Sequence, residues 1–143
     1  MMDSKKHGYS IIVGCGGLGS FLATHFSEEG KDVMVIDLEG SAFRKLSKSY
    51  GGITMAANAT DIEKLKKAKM NEADNVIVVT NNDNVNIFVA QIAKKMFNVP
   101  YVVARIYDEC KSVLVEKYNI ETICPTILSE QEVLVDVKDG SVH

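Results

Sequence analysis

The stretch Ser10-Ile11-Ile12-Val13-Gly14-Cys15-Gly16-Gly17-Leu18-Gly19-Ser20 decides the fold. An apolar run breaks into a glycine cluster and continues with helical spacing, Leu18, Leu22 and Phe26 sharing one face until Glu29-Gly30. It reads as strand, tight turn, helix. Gly14, Gly16 and Gly19 fit G-x-G-x-x-G. The first glycine permits the sharp turn, the second lets a pyrophosphate approach the backbone, and the third lets helix and strand pack closely. An anion would then face the free N–H groups and positive dipole end of the helix.

Working outward, Val33-Met34-Val35-Ile36 is a short run apolar on both faces, as a buried parallel strand requires, and it ends in Asp37. That carboxylate stands eighteen residues beyond Gly19. An acidic side chain at roughly twenty residues meets the ribose hydroxyls of NAD. Ser41 can cap a helix carrying Phe43, Leu46 and Tyr50 inward, with Gly51-Gly52 ending it. Ile53 to Ala56 reads as the third strand. Thr60-Asp61-Ile62-Glu63 has the form of a capping box opening a helix toward Lys69.

Asn75 to Val79 is the fourth strand, leading into the polar cluster Thr80 to Asn84. There Asp83 or Asn84 can cap a long helix with Val85, Phe88, Ile92, Ala93 and Met96 on its inner face. Pro100 precedes a fifth strand, Tyr101 to Ala104, with Arg105 at its end. A helix over Asp108 to Tyr118 and a short strand at Thr122-Ile123-Cys124 complete the alternation. Ser129 to Val137, with Val133, Leu134 and Val137 as its stripe, reads as a terminal helix. The expected organisation is a polar tail over 1–8, one nucleotide-binding domain over 9–138 including that helix, and a frayed tail over 139–143.

Composition bounds the rest. At 143 residues, 46% hydrophobic and 24% charged, the chain has the profile of one globular domain, too short for a cofactor domain plus a separate substrate domain. A net charge of -3 leaves no basic footprint for nucleic acid. Cys15, Cys110 and Cys124 have neither metal-ligand spacing nor an even count, so reduced cytoplasmic thiols are expected and no metal site is assigned. No run reaches membrane-spanning length, and no signal-peptide core is present.

Strands alternating with helices predict an α/β fold of the doubly wound Rossmann type. The sheet is expected to hold six parallel strands in the order 3-2-1-4-5-6, with helices on both faces. The winding reverses between the first and fourth strands, and a ligand binds outside their carboxyl ends. Gly14 to Gly19, Asp37, Asn58, Thr80 to Asn84 and Arg105 all fall at that edge. Each also has a structural reading. The glycines make a tight turn whatever they bind, Asn58 suits a turn, and Asp83 suits a helix cap. Arg105 can pair with a carboxylate as well as with a phosphate. Cys15 is a small residue beside the glycines, although a helix N-terminus would lower its thiol pKa.

Together these residues resemble the N-terminal nucleotide-binding domains of potassium-transport regulators, the TrkA-N or RCK family. The likeness runs from about Tyr9 to Ile127. It is carried by Ile12 to Gly19, Val35-Ile36-Asp37, Ala59-Thr60-Asp61, Ala73 to Thr80 with Asp83 and Asn86, and Ala104 to Asp108. The resemblance implies a cofactor-binding set of Gly14, Cys15, Gly16, Gly17, Leu18, Gly19, Asp37 and Leu38, with Asn58, Ala59, Thr60, Thr80, Asp83, Asn86 and Arg105. It implies no catalytic residue. NAD(H) is the favoured ligand, with ADP, AMP or ATP as alternatives, and the partner is an integral-membrane potassium transporter or channel subunit. It further implies a homo-dimer or higher ring, cytoplasmic and held at the membrane through that partner.

Two departures sharpen the expectation. Many members carry arginine in the glycine loop, where this chain has Cys15 and Gly17, and the usual Gly-Asp-Ala is Ala57-Asn58-Ala59 here. A third phosphate loses a grip, while Asn58 can still donate and accept hydrogen bonds. The rival classes are a small NAD-dependent oxidoreductase, or the cofactor-binding subunit of one, and a domain that binds S-adenosylmethionine.

Overall fold

The computed structural model describes residues 8–124. Six strands form one sheet: β1 Tyr9–Val13, β2 Asp32–Asp37, β3 Ile53–Ala56, β4 Asn75–Val78, β5 Tyr101–Arg105 and β6 Glu121–Ile123. Every pairing is parallel and the order is β3-β2-β1-β4-β5-β6, the doubly wound arrangement expected from the alternation. Val13 pairs with Ile36 on one side and Val78 on the other, so the carboxyl ends of the three central strands lie level.

Strand side chains alternate between faces, and both faces are covered. Ile11, Val13, Ile36, Val76 and Val78 pack under α2 (Ile62–Lys67) and α3 (Asp83–Lys95), through Leu65, Ile87, Ala90 and Ala93. Ile12, Val33, Val35 and Ile77 pack under α1 (Gly17–Glu28), through Leu18, Leu22, Ala23 and Phe26. β3 is an edge strand and its Ile53 is 61% exposed. No helix among the described residues is long and apolar enough to cross a membrane.

Five local readings of the sequence are corrected. The helix expected from Ser41 to Tyr50 is only a 3₁₀ turn, Gly40–Lys45. Ser47 competes for the backbone there, its hydroxyl accepting from the Ser49 amide, while Ser49 Oγ donates to the Glu28 carboxylate and ties the segment to α1. Phe43, Leu46 and Tyr50 still pack against the α1 side of the core. Helix α2 is capped by Asp61, whose carboxylate accepts from the Glu63 amide at 3.1 Å, and not by Thr60. Thr60 is held back because its own N–H and hydroxyl donate to Asn58 Oδ1, at 3.0 and 2.7 Å.

Helix α3 is capped by Asn82, one residue before Asp83. It buries Asn86, Ile87, Val89, Ala90 and Ala93, whereas Phe88 and Met96 are exposed. The inner face is rotated from the expected one because a polar residue, Asn86, belongs to it. The helix expected over Asp108 to Tyr118 is split into a 3₁₀ turn, Glu109–Lys111, and the four-residue α4, Val113–Glu116. Ser112 divides them, its hydroxyl donating to the Glu109 carbonyl. The terminal helix over Ser129 to Val137 and both expected tails, apart from Gly8, lie outside the described residues.

Candidate functional site

A crevice of about 570 Å³ opens at the carboxyl edge of the sheet, between the ends of β1, β2, β4 and β5. Small-molecule pockets run from ~300 to ~1,000 Å³. Its floor is the glycine turn. Gly14 has φ +106°, a conformation L side chains rarely adopt, and a Cβ there would stand 2.9 Å from the backbone of Val79 and Thr80. Its N–H donates to the Ile36 carbonyl at 2.8 Å, pinning the turn to β2. A Cβ on Gly19 would run into the Gly14 carbonyl oxygen. Gly16 differs from both: nothing lies within 4 Å of where its Cβ would stand, and it lines the crevice. It is also the N-cap of α1, which has no side-chain cap and no acidic residue in its first turn. The start of α1 therefore presents free N–H groups and positive dipole charge.

The bank formed by β2 is built from the Asp37 carboxylate. One oxygen accepts from the Cys15 amide at 2.7 Å and the other from the Glu39 amide at 2.8 Å. The acid thus ties the glycine turn to the loop after β2. Each oxygen keeps a lone pair for a hydroxyl donor. Glu39, Ser41 and Lys45 line the same bank, with Asn58 and Ala59 behind them. The Cys15 side chain is fully buried among Leu18, Val79 and their neighbours. Burial, then the Asp37 charge, raise its thiol pKa, with Lys45 offsetting part of the effect. This corrects the expectation of a thiol acidified by the helix.

The opposite bank is Thr80, Asn81 and Asn82 beneath β4, with Arg105 from β5. Arg105 is buried, and its Nη2 donates to the Val79 carbonyl at 2.6 Å, the Thr80 carbonyl at 3.1 Å and Asn81 Oδ1 at 3.3 Å. Among the described residues its Nε has no hydrogen-bond partner. Among the described residues it pairs with no carboxylate, and its guanidinium lies 5.3 Å from the Tyr107 ring centre.

Of the residues singled out from sequence, Gly14, Cys15, Gly16, Asp37, Leu38, Asn58, Ala59, Thr80 and Arg105 line the crevice. Gly17, Leu18 and Gly19 lie just behind it in α1, and Thr60 is turned onto Asn58. The Asp83 carboxylate accepts from the Tyr107 and Asp108 amides at 2.8 and 2.9 Å, fastening α3 to the loop after β5. Asn86 is fully buried under Thr80. Lys45 was not singled out, and Ser41 was read only as a helix cap, because a regular helix was expected there. Their place directly after Asp37 was the available signal.

Residues 10–125 match the family model described as TrkA-N domain. The Trk system potassium uptake protein TrkA of Streptomyces coelicolor is 37% identical over 113 residues, covering 79% of this chain and 51% of that protein. The chain spans about half the length, or less, of the curated relatives it matches. Two solved structures share the fold. The TrkA-N domain of inner membrane protein ybaL from Escherichia coli has a TM-score of 0.72 at 17% identity, covering 92% of this chain and 95% of that one. The Shewanella denitrificans Kef C-terminal domain in its AMP-bound form has a TM-score of 0.72 at 16% identity, covering 92% and 79%.

Proposed function

This chain belongs to the TrkA-N domain family, and from that premise we propose that it is the nucleotide-sensing part of a potassium uptake transporter or channel. The observation that carries the reading is the uncapped start of α1 at Gly16, opening on a crevice whose β2 bank holds Asp37. Space where a Cβ of Gly16 would stand suits a pyrophosphate resting on the α1 N–H groups. Asp37 would accept the ribose hydroxyls while its charge, joined by Glu39, opposes a 2′-phosphate. NAD(H) is therefore favoured over its phosphorylated form.

Gly17 offers no side chain to a third phosphate, so NAD(H), ADP or AMP is favoured over ATP. Arg105, a buried cation without a carboxylate partner among the described residues, would add positive charge on the β4 side. The role is regulatory rather than catalytic, carried over from relatives named for potassium uptake. Nucleotide would act by binding one arrangement of paired or ring-assembled domains more tightly than another, since only differential affinity shifts such a population. The expected place is the cytoplasm, at the membrane through the transporter partner.

Thermal-shift ranking of NADH, ADP, AMP, ATP and S-adenosylmethionine, with solution scattering of each complex, tests the reading. NADH and ADP should stabilise the chain more than ATP and change its scattering. Stabilisation by S-adenosylmethionine alone, or unaltered scattering at saturating nucleotide, would overturn it.

A further inference from the structure

Asn86 is a polar side chain with no exposed surface, on a helix face that otherwise carries Ile87, Val89, Ala90 and Ala93. Its amide is satisfied at every position. Oδ1 accepts from the Thr80 amide at 3.1 Å and from the Thr80 hydroxyl at 2.5 Å. Nδ2 donates to the Thr80 carbonyl at 3.1 Å and to the Arg105 carbonyl at 2.8 Å. The side chain thus holds both backbone polar groups of Thr80 and fastens them to the end of β5. Arg105 closes the loop, its own guanidinium returning to the Val79 and Thr80 carbonyls.

Four hydrogen bonds use both donors and both acceptor lone pairs of a carboxamide. None is left for a ligand. Thr80 and Arg105 line the crevice, whereas Asn86 does not. Val78 is the last residue in the ladder with β1 and β5, and Val79 still bonds β1, its N–H donating to the Val13 carbonyl, so Thr80 is the first residue whose amide finds its partner in a side chain. Thr80 also meets the glycine turn, its amide nitrogen lying 2.9 Å from where a Cβ of Gly14 would stand. A shift at Thr80 therefore moves the seat of the pyrophosphate itself.

We infer that Asn86 is a positioning residue: from beneath the crevice it fixes Thr80 and the end of β5 at the spacing the ligand requires, and it touches no ligand. This rests on the nucleotide reading above, and it separates Asn86 from the contact residues with which the family resemblance grouped it. Polar burial of this kind specifies geometry as well as stability, because the network is satisfied in only one arrangement.

The test uses the full chain and three variants. Asn86→Ala removes the clamp, Asn86→Asp keeps the shape and the acceptor side while its carboxyl, held neutral by burial, supplies at most one of the two donors, and Val89→Ala opens a cavity on the same buried face. Two quantities are read: amide hydrogen exchange at Thr80 without nucleotide, and NADH affinity by fluorescence below the melting range of each variant. Asn86→Ala should expose the Thr80 amide, and both Asn86 variants should bind NADH at least tenfold more weakly. Val89→Ala should keep affinity within about twofold. If Asn86→Ala fails to fold, NADH affinity in Asn86→Asp carries the test, since that variant keeps the acceptor of the Thr80 amide. Equal NADH affinity in Asn86→Asp and Val89→Ala, or a Thr80 amide as protected in Asn86→Ala as in Val89→Ala, would overturn the inference. Failure of the unaltered chain to bind any nucleotide would instead overturn the nucleotide reading, and Thr80 exchange would still decide whether the clamp exists.

Discussion

The two banks of the crevice are held in different ways. On the β2 side, a partly exposed carboxylate receives two backbone amides, and the surrounding Glu39, Ser41 and Lys45 lie on an irregular turn with exposed side chains. On the β4 side, a fully buried amide and a buried guanidinium lock two strand ends together. Ribose hydroxyls can be met by a side chain that adjusts in solvent. The backbone path beside the glycine turn tolerates less movement, since Gly14 packs directly on Val79 and Thr80. Precision is thus concentrated where backbone approaches backbone, and adaptability where a charge meets a hydroxyl.

Substitutions can break or sharpen that contrast. Asn86→Leu, with as many side-chain heavy atoms as asparagine, leaves the Thr80 amide and the Arg105 carbonyl without their side-chain partner in the core and the Thr80 carbonyl with Arg105 alone. A loss of about 3 kcal/mol in urea unfolding is expected. Asp37→Ala, on the other bank, frees two amides nearer to water and should cost only about 1 kcal/mol by the same measurement. It should weaken NADH by more than tenfold in a direct titration. Gly16→Ala should change stability by less than about 0.5 kcal/mol, because its Cβ enters open space. Calorimetric titration should nevertheless show weaker NADH and ADP binding, the methyl group occupying the pyrophosphate seat. If Asn86→Leu were no more costly than Asp37→Ala, the two banks would be alike and the contrast would fail.

The β2 bank was the more legible of the two in the sequence. A glycine turn followed by an acidic residue at the end of the next apolar run is a linear signal, because the βαβ unit fixes the offset. The strand order was equally legible, since apolar runs of four or five residues spaced by helical patterns leave few ways to cover both faces. Asn86 defeats such reasoning. A pattern of apolar and polar residues assigns an asparagine to solvent, and doing so rotated the inner face of α3 toward Phe88 and Met96. Its burial depends on Thr80 and Arg105, the latter nineteen positions away and brought near only by the parallel pairing of β4 and β5. Arg105 was legible as an edge residue, but its carbonyl partners were not. The irregular stretch after Gly40 was lost for a local reason, the competition of the Ser47 hydroxyl with helical hydrogen bonds.

Gly17 begins α1 with an exposed backbone, whereas Gly14 and Gly19 are locked against one another and Cys15 is buried. Within this turn, then, Gly17 is a point of entry for chemical novelty at the surface. A lineage or an engineer could trade Gly17 for a long cationic side chain and retune which phosphate chain the domain answers to. Ligand preference and foldability are written in neighbouring letters of the same motif, yet they can drift apart independently.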